Sequence, residues 1–349
     1  MINIKGVGDF FSLDIGTNAI RAVQLSKAGE NSWNLIGLGY TPVDPQLVLS
    51  NSDESRRRLG EIISTMIGQS DIKTKNVAIS LPSQKTFTTI FEVPKQDVKE
   101  LQKNVSYQID QYIPMAIDDA QVDWALLGES LSNPDSLEIL LASTSKNFSE
   151  EKMEFVEGLG LNVVASEPDS LAMTRALYSG NQNGQAQLII DMGEISTDLS
   201  IVYQGAPRLV RTIPTGISSL VKSATQNLNI KEDQARQFIM KFGLAQDKLE
   251  GQVFHAIEIT LENFVQEIAK SIKFLGTKYQ NVQVGSIALS GYSGIVPQMP
   301  EYVSSKTGIQ SYSANPFQNI NVPAKYQQQV ASVGNEFAVA IGLAERNNK

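Results

Sequence analysis

The chain has 349 residues, 42% of them hydrophobic, and a formal charge of −8, which suits one large domain or two medium ones with their own cores. The acidic balance argues against a nucleic-acid footprint, which needs a concentrated basic face. With no cysteine, disulfides, thiolate catalysis and cysteine-bound zinc are excluded, and a cytosolic protein is expected.

No apolar run approaches the ~20 residues of a membrane span. The opening MINIKGVGDFF has one lysine and no apolar core, so no signal peptide is expected. Three strands are predicted first, over Phe10–Ile15, Ile20–Ser26 and Ser32–Tyr40. A turn, TPVDP, leads to a helix over roughly 53–68, where Leu59, Ile62, Ile63, Met66 and Ile67 repeat at helical spacing. Arg56-Arg57-Arg58 reads as the solvated side of that helix. Strands follow at Asn76–Pro82 and Thr86–Val93, each stopped by a proline.

Val98, Leu101, Val105, Ile109 and Tyr112 predict an amphipathic helix over Asp97–Ile113, ended by Pro114. Val122–Leu127 and Leu137–Ala142 read as strands, with Ser149 expected to cap a helix toward Leu159. Residues 75–163 are therefore expected to form an inserted α/β unit. Pro168 is expected at the first position of the next helix.

A strand–turn–strand around Asp191 follows, then a strand at Arg208–Ile213 and helices over 217–280. Val284–Ser290 is a strand running into Gly291, and a last helix is expected over Gln328–Ala344. His255, the only histidine, cannot build a metal site alone. Trp33 and Trp124, in alternating patterns, read as packing residues.

Two segments share one design, FSLDIGTNAIRAVQLS from Phe11 and LIIDMGEISTDLSIVYQG from Leu188. Each runs as an aliphatic strand, turns at Asp-x-Gly among polar residues, and returns. A phosphate needs converging N–H donors and a backbone that can approach closely. Gly16, Thr17 and Asn18 supply one such turn, with Arg21 a candidate cation; Gly193, Ser196 and Thr197 supply the other. Asp14 and Asp191 would sit at the strand ends, and two carboxylates suit Mg2+ bound with nucleotide phosphates. Each hairpin alone is also ordinary turn chemistry; the pair, with a later strand ending in Ser-Gly, points to a nucleotide.

LDIGTNAIRAV, SEPDSLAMTRAL, IIDMGEISTDLSIV, IALSGYSG and VGNEFAVAIGLA occur in the order of the motifs of the actin-like ATPase family, which the chain resembles over nearly its whole length. VAISLPSQKTFTTIFEVPKQDVKELQKNVSYQIDQYIP followed by DAQVDWALLG resembles the inserted subdomain of its FtsA and PilM branch, and RTIPTG, QEIAKSIKF and ANPFQNI are similar to the PilM family of type IV pilus assembly proteins. The resemblance implies an α/β actin-like ATPase fold, with two duplicated halves around a nucleotide cleft and an inserted α/β subdomain. The first half would comprise 1–74, 164–186 and 328–349, and the insertion 75–163. The second would comprise 187–216 and 281–327, with a helical subdomain over 217–280.

The resemblance further implies ATP or ADP with Mg2+ near Asp14 and Asp191, and Glu167 near the γ-phosphate. Gly216 would follow the second phosphate hairpin, Gly291 would approach the adenine, and Glu267, Lys270 and Ser271 would flank the nucleoside. Glu194 and Ile195 stand where glycine is frequent, Tyr292 where a second glycine is, and Ile239 where a lysine is, so slow hydrolysis or none is expected. The implied role is a cytoplasmic scaffold that binds the N-terminal cytoplasmic peptide of PilN and meets other pilus inner-membrane components through it. The peptide groove is expected between the insertion and the adjoining first half; self-association is compatible with the resemblance. Two alternatives remain open. One is an FtsA-like filament-forming ATPase, disfavoured by the ending GLAERNNK without a terminal amphipathic helix. The other is a small-molecule kinase of the same fold.

Overall fold

The computed structural model describes residues 9–97, 100–102, 105, 108–180 and 184–347. Its first sheet grows from an antiparallel meander, β1 (Phe11–Ile15), β2 (Ala19–Lys27) and β3 (Trp33–Pro42). Two parallel strands, β4 (Asn76–Leu81) and β8 (Asn162–Pro168), extend it beyond β1. At the other edge β14 (Ile320–Asn321) pairs with β3. The second sheet repeats the plan. β9 (Ala186–Met192), β10 (Thr197–Tyr203) and β11 (Ala206–Ile213) form the meander, and β12 (Val284–Gly291) and β13 (Ser311–Ser313) add the parallel strands.

Two helices lie between the sheets, Asp169–Leu177 and Ala338–Ala344. Val23 and Leu35 of the first sheet, Ile189 and Val202 of the second, and Met173 and Ile341 of the helices share one buried cluster. The helices touch almost backbone to backbone, because a Cβ on Gly342 would fall 1.8 Å from the Ala172 carbonyl oxygen. Any larger residue there would drive them apart.

On the outer face of the first sheet, the helix Asp53–Gly68 buries Leu59, Ile63 and Met66, beside Val156 of the helix Lys146–Glu157. Ser52 caps the former, accepting from the Ser55 N–H, and Asp53 and Glu54 complement its N-terminal dipole. Outside the second sheet, the helices Ile217–Leu228, Glu232–Phe242 and Gln252–Lys278 present an apolar stripe that includes Ile257, Leu261, Phe264 and Ile268.

A third sheet, ordered β5 (Thr86–Pro94), β7 (Ser136–Ser145) and β6 (Ala120–Glu129), is built between β4 and the helix Lys146–Glu157. Its core takes in Leu101, Val105 and Ile109. The helix expected over Asp97–Ile113 falls partly outside the described residues, Val98 included; Ile109–Gln111 is a 3-10 turn. The sheet also grips the second half. Arg208 of β11 pairs with Glu138 of β7, both buried, and the Lys278 ammonium donates to the Ile90 carbonyl at 3.1 Å.

Four local expectations change. Asn76–Leu81, grouped from sequence with the insertion, is an inner strand of the first sheet, which its burial explains. Ser145, not Ser149, caps the helix Lys146–Glu157, because Ser149 is itself buried within it. Pro168 ends β8 and stands at the N-cap position, one residue before the helix. The last helix is two, Ala324–Val333 and Ala338–Ala344, separated by a 3-10 turn over Gly334–Phe337.

Candidate functional site

The turns of the two matching hairpins line one cavity of about 420 Å3. Asp14, Gly16, Thr17, Asn18, Arg21, Asp191, Gly193, Ser196 and Gly291, all expected at the nucleotide and Mg2+ site, border it together. Among the described residues, the N–H groups of Gly16, Thr17 and Asn18 bond no protein acceptor, and neither do those of Glu194, Ile195 and Ser196. Gly193 differs, its N–H donating to the Ser196 carbonyl at 2.8 Å and closing the second turn. Two turns with unclaimed amides form concavities suited to an anion.

The first hairpin is electrically balanced. Asp14 and Arg21 are cross-strand partners, with the guanidinium Nη1 3.3 Å from the Asp14 carboxylate. Ser80 of β4 donates to the other Asp14 oxygen at 2.8 Å. Arg21 also pairs with Glu336, which precedes the helix Ala338–Ala344, and Tyr40 donates to the same carboxylate at 3.3 Å. Burial lowers the Arg21 pKa, but Asp14 and Glu336 more than offset it, and the net shift is upward. Sequence made Arg21 a phosphate ligand; its charge is already committed to two carboxylates.

The second hairpin is unbalanced. Asp191 faces Asp198 across the strand pair. Burial, and then the neighbouring Asp198 charge, pushes the Asp191 carboxyl up to about 7. Asp198 rises to about 6 by burial, partly offset by the Thr212 hydroxyl, which donates at 2.7 Å. Asp169, at the start of its helix, also rises well above its ordinary value through burial and then Asp198, despite a bond from Ser83. These three acids and Asp14 line one space.

A bound cation would offset that charge. Among the described residues, no group of three or more acid or histidine side chains is arranged to hold a metal by itself. Mg2+ commonly takes one or two carboxylates, keeps waters, and completes its shell from phosphates. Asp191, with Asp14 or Asp198, fits that donor set. The open amides fit the phosphates.

Hydrogen bonds cross the cleft. Asn18 donates its amide to the Tyr292 hydroxyl, and Gln84 donates to the Ser196 hydroxyl at 2.7 Å. Tyr292, where a second glycine was expected, thus closes one side. Burial, then the Glu194 charge, raises its pKa. Glu194 is turned to Arg236, which holds it through both carboxylate oxygens at 2.5 and 3.2 Å. Its charge is spent there. Gly291 has φ +58, and a Cβ would lie 2.4 Å from the Met192 carbonyl oxygen, so glycine is required by the neighbouring strand.

The remaining expected residues lie off the cavity. Glu167, assigned by resemblance to the γ-phosphate, is buried between Arg175 at 2.5 Å and Arg346 at 3.1 Å, bracing the central helices. Thr197 is buried and donates to the Thr215 carbonyl. Gly216 stands at the N-cap of Ile217–Leu228, whose first amides bond the carbonyls of Gly193 and Glu194. Glu267, Lys270 and Ser271 sit on Gln252–Lys278, where Arg211 donates to Ser271 at 2.8 Å and to Glu267 at 3.2 Å. Ile239 is buried core. Asp169, Asp198, Ser83 and Lys152, which do line the cavity, were missed. Asp198 was legible as the residue opposite Asp191 once the hairpin register was drawn.

Two sheets of matching topology, with a cleft roofed by paired Asp-x-Gly hairpins, define an actin-like protein. Solved structures agree. EutJ, an ethanolamine utilization protein of Carboxydothermus hydrogenoformans, superposes with a TM-score of 0.57 at 12% identity, over 99% of this chain and 92% of that one. MreB 5 of Spiroplasma citri, bound to AMPPNP, gives 0.54 at 10% identity, over 95% and 94%. A PilM-PilN type IV pilus biogenesis complex gives 0.83 at 21% identity, over 98% and 99%. The family model for type IV pilus assembly protein PilM matches residues 12–348. The chain belongs to that family.

Proposed function

We propose that the cleft binds an adenine nucleotide with Mg2+, and that the protein serves as a scaffold of the type IV pilus inner-membrane complex. The carrying observation is the union, in one cavity, of two turns with open amides and the uncompensated pair Asp191 and Asp198. AMPPNP bound to MreB 5 of the same fold supports the reading. When bound, Mg2+ would neutralise the phosphates and the acids together. Asp191 would hold it, and the turns at Gly16–Asn18 and Glu194–Ser196 would hold phosphate oxygens. Turnover is proposed to be slow or absent, since Glu167 is locked by two arginines and Glu194 by a third.

The scaffold's ligand is proposed to be the N-terminal cytoplasmic peptide of PilN, supported by the PilM-PilN complex among the structural relatives. Such a peptide would bring the chain to the inner face of the membrane, and among the described residues no helix is long and apolar enough to cross one. The groove is proposed between the inserted sheet and the first half. β6 forms an outer edge of that sheet, a place where an extended peptide can add a strand. Isothermal titration tests the core of the proposal. Mg-ATP should bind, and chelating Mg2+ or making Asp191→Asn should weaken it; no heat with wild type would overturn nucleotide binding. A PilN N-terminal peptide that fails to bind with or without nucleotide would overturn the scaffold role.

A further inference from the structure

Among the described residues, four basic side chains line the cavity, and three are otherwise disposed. Arg21 is held by Asp14 and Glu336, and Arg56 pairs with Glu151 at 3.2 Å. Lys85 is exposed, where a single charge is strongly screened. The fourth, Lys152 on the helix Lys146–Glu157, is only partly accessible, and among the described residues its ammonium makes no hydrogen bond or ion pair. Burial pulls its pKa down, while Asp14 and then Asp169 act against that pull.

The cavity has two ends. Tyr292 feels Glu194, Glu336 and Arg236, whereas Lys152 feels Asp14 and Asp169. A nucleoside beside Gly291 and Tyr292 would send its phosphates past the two turns toward the Asp14 and Asp169 end. A partly desolvated ammonium without a partner is unfavourable where it stands, and a phosphate oxygen would supply the missing charge-assisted bond.

We infer that Lys152 binds the terminal phosphate of the nucleotide and lets the cleft distinguish a nucleoside triphosphate from a diphosphate. The inference rests on the nucleotide-binding reading above. It assigns to Lys152 the role that sequence gave to Arg21, and it gives the helix beside the inserted sheet a direct view of the nucleotide state.

The test compares Mg-AMPPNP and Mg-ADP affinities by isothermal titration for wild type, Lys152→Met, Lys152→Gln, Lys152→Arg and Lys85→Ala, each checked for folding by thermal melting. Wild type should prefer the triphosphate. Loss of one charge-assisted bond corresponds to about 10–100-fold in affinity. Lys152→Met and Lys152→Gln should lose that much toward AMPPNP while ADP affinity stays unchanged; Lys152→Arg should keep most of the preference and Lys85→Ala all of it. A merely destabilised protein would lose both ligands together, so an equal loss for both, or none, overturns the inference. So does a loss of preference in Lys85→Ala but not in Lys152→Met. If wild type binds neither nucleotide, the cleft reading itself falls, and the Lys152 assignment with it. If wild type binds both but Lys152→Met leaves their ratio intact, only the assignment falls.

Discussion

The hairpins β1–β2 and β9–β10 share a backbone plan and place opposite charges across from their leading acids. Opposite Asp14 stands Arg21; opposite Asp191 stands Asp198. The first pair is neutral and tied to Ser80 and Glu336, while the second is two acids whose protonation is favoured by their surroundings. The same fold element thus forms a charge-balanced wall on one side and an acidic wall on the other. The backbone plan is common to both walls, and the residue opposite the acid sets them apart.

Substitution at the two cross-strand positions should move stability in opposite directions. Arg21→Met would leave the buried Asp14 carboxylate and the half-buried Glu336 carboxylate without their counter-charge, and a loss of roughly 3–5 kcal/mol is expected from breaking a buried pair. Denaturant unfolding measures it, and a loss below ~1 kcal/mol would show that the pair behaves as an exposed one.

The pH profile should separate the walls next. Asp191 and Asp198 titrate in the fold near 7 and 6, above their ordinary value of 3.8. Between those limits the folded state binds more protons than the unfolded one, so ligand-free stability should fall as pH rises through that window. Asp198→Asn should flatten this slope. Mg-nucleotide affinity should run the other way, declining as pH drops below about 7, because protons compete for the same oxygens. Melting curves across pH, with and without Mg-ATP, show both; a ligand-free protein that gains stability toward neutral pH would contradict the assignment.

Smaller effects concern the ties between the walls. Tyr292→Phe removes the acceptor for Asn18, and a loss of about 0.5–1.5 kcal/mol is expected in the ligand-free protein. Smallest is Asp198→Asn itself at neutral pH, a gain of about 0.2–1 kcal/mol from relieving a like-charge pair across strands.

The hairpins were legible because aliphatic alternation and Asp-x-Gly are local signals, and the helix Asp53–Gly68 was legible from its 3.6-residue stripe. What sequence could not show is who claims a charge. Arg21 is taken by Glu336, 315 positions away, and Glu167 by Arg346, 179 positions away. Neither pairing leaves a trace in local pattern. The helix boundary at Pro168 was misplaced because Asn162–Pro168 is short and only partly buried, so its strand character comes from pairing with β4 rather than from its own residues. Asp169 lies in another segment of the chain, and only the fold brings it beside Asp198 and Asp14.

The Arg208–Glu138 pair has a mechanical consequence. The inserted sheet joins the first half through the chain at both its ends, at β4 and at the helix Lys146–Glu157, and it is fastened to the second half by that buried pair and by Lys278. The three bodies therefore form a closed linkage. Rotation of one half about the other cannot occur with the inserted sheet idle: either the rivet at Glu138 breaks, at a cost of several kcal/mol, or the sheet turns like a crank between its two mounts. A displacement too small to see at the phosphates would then be read at the far edge of β6 as a swing.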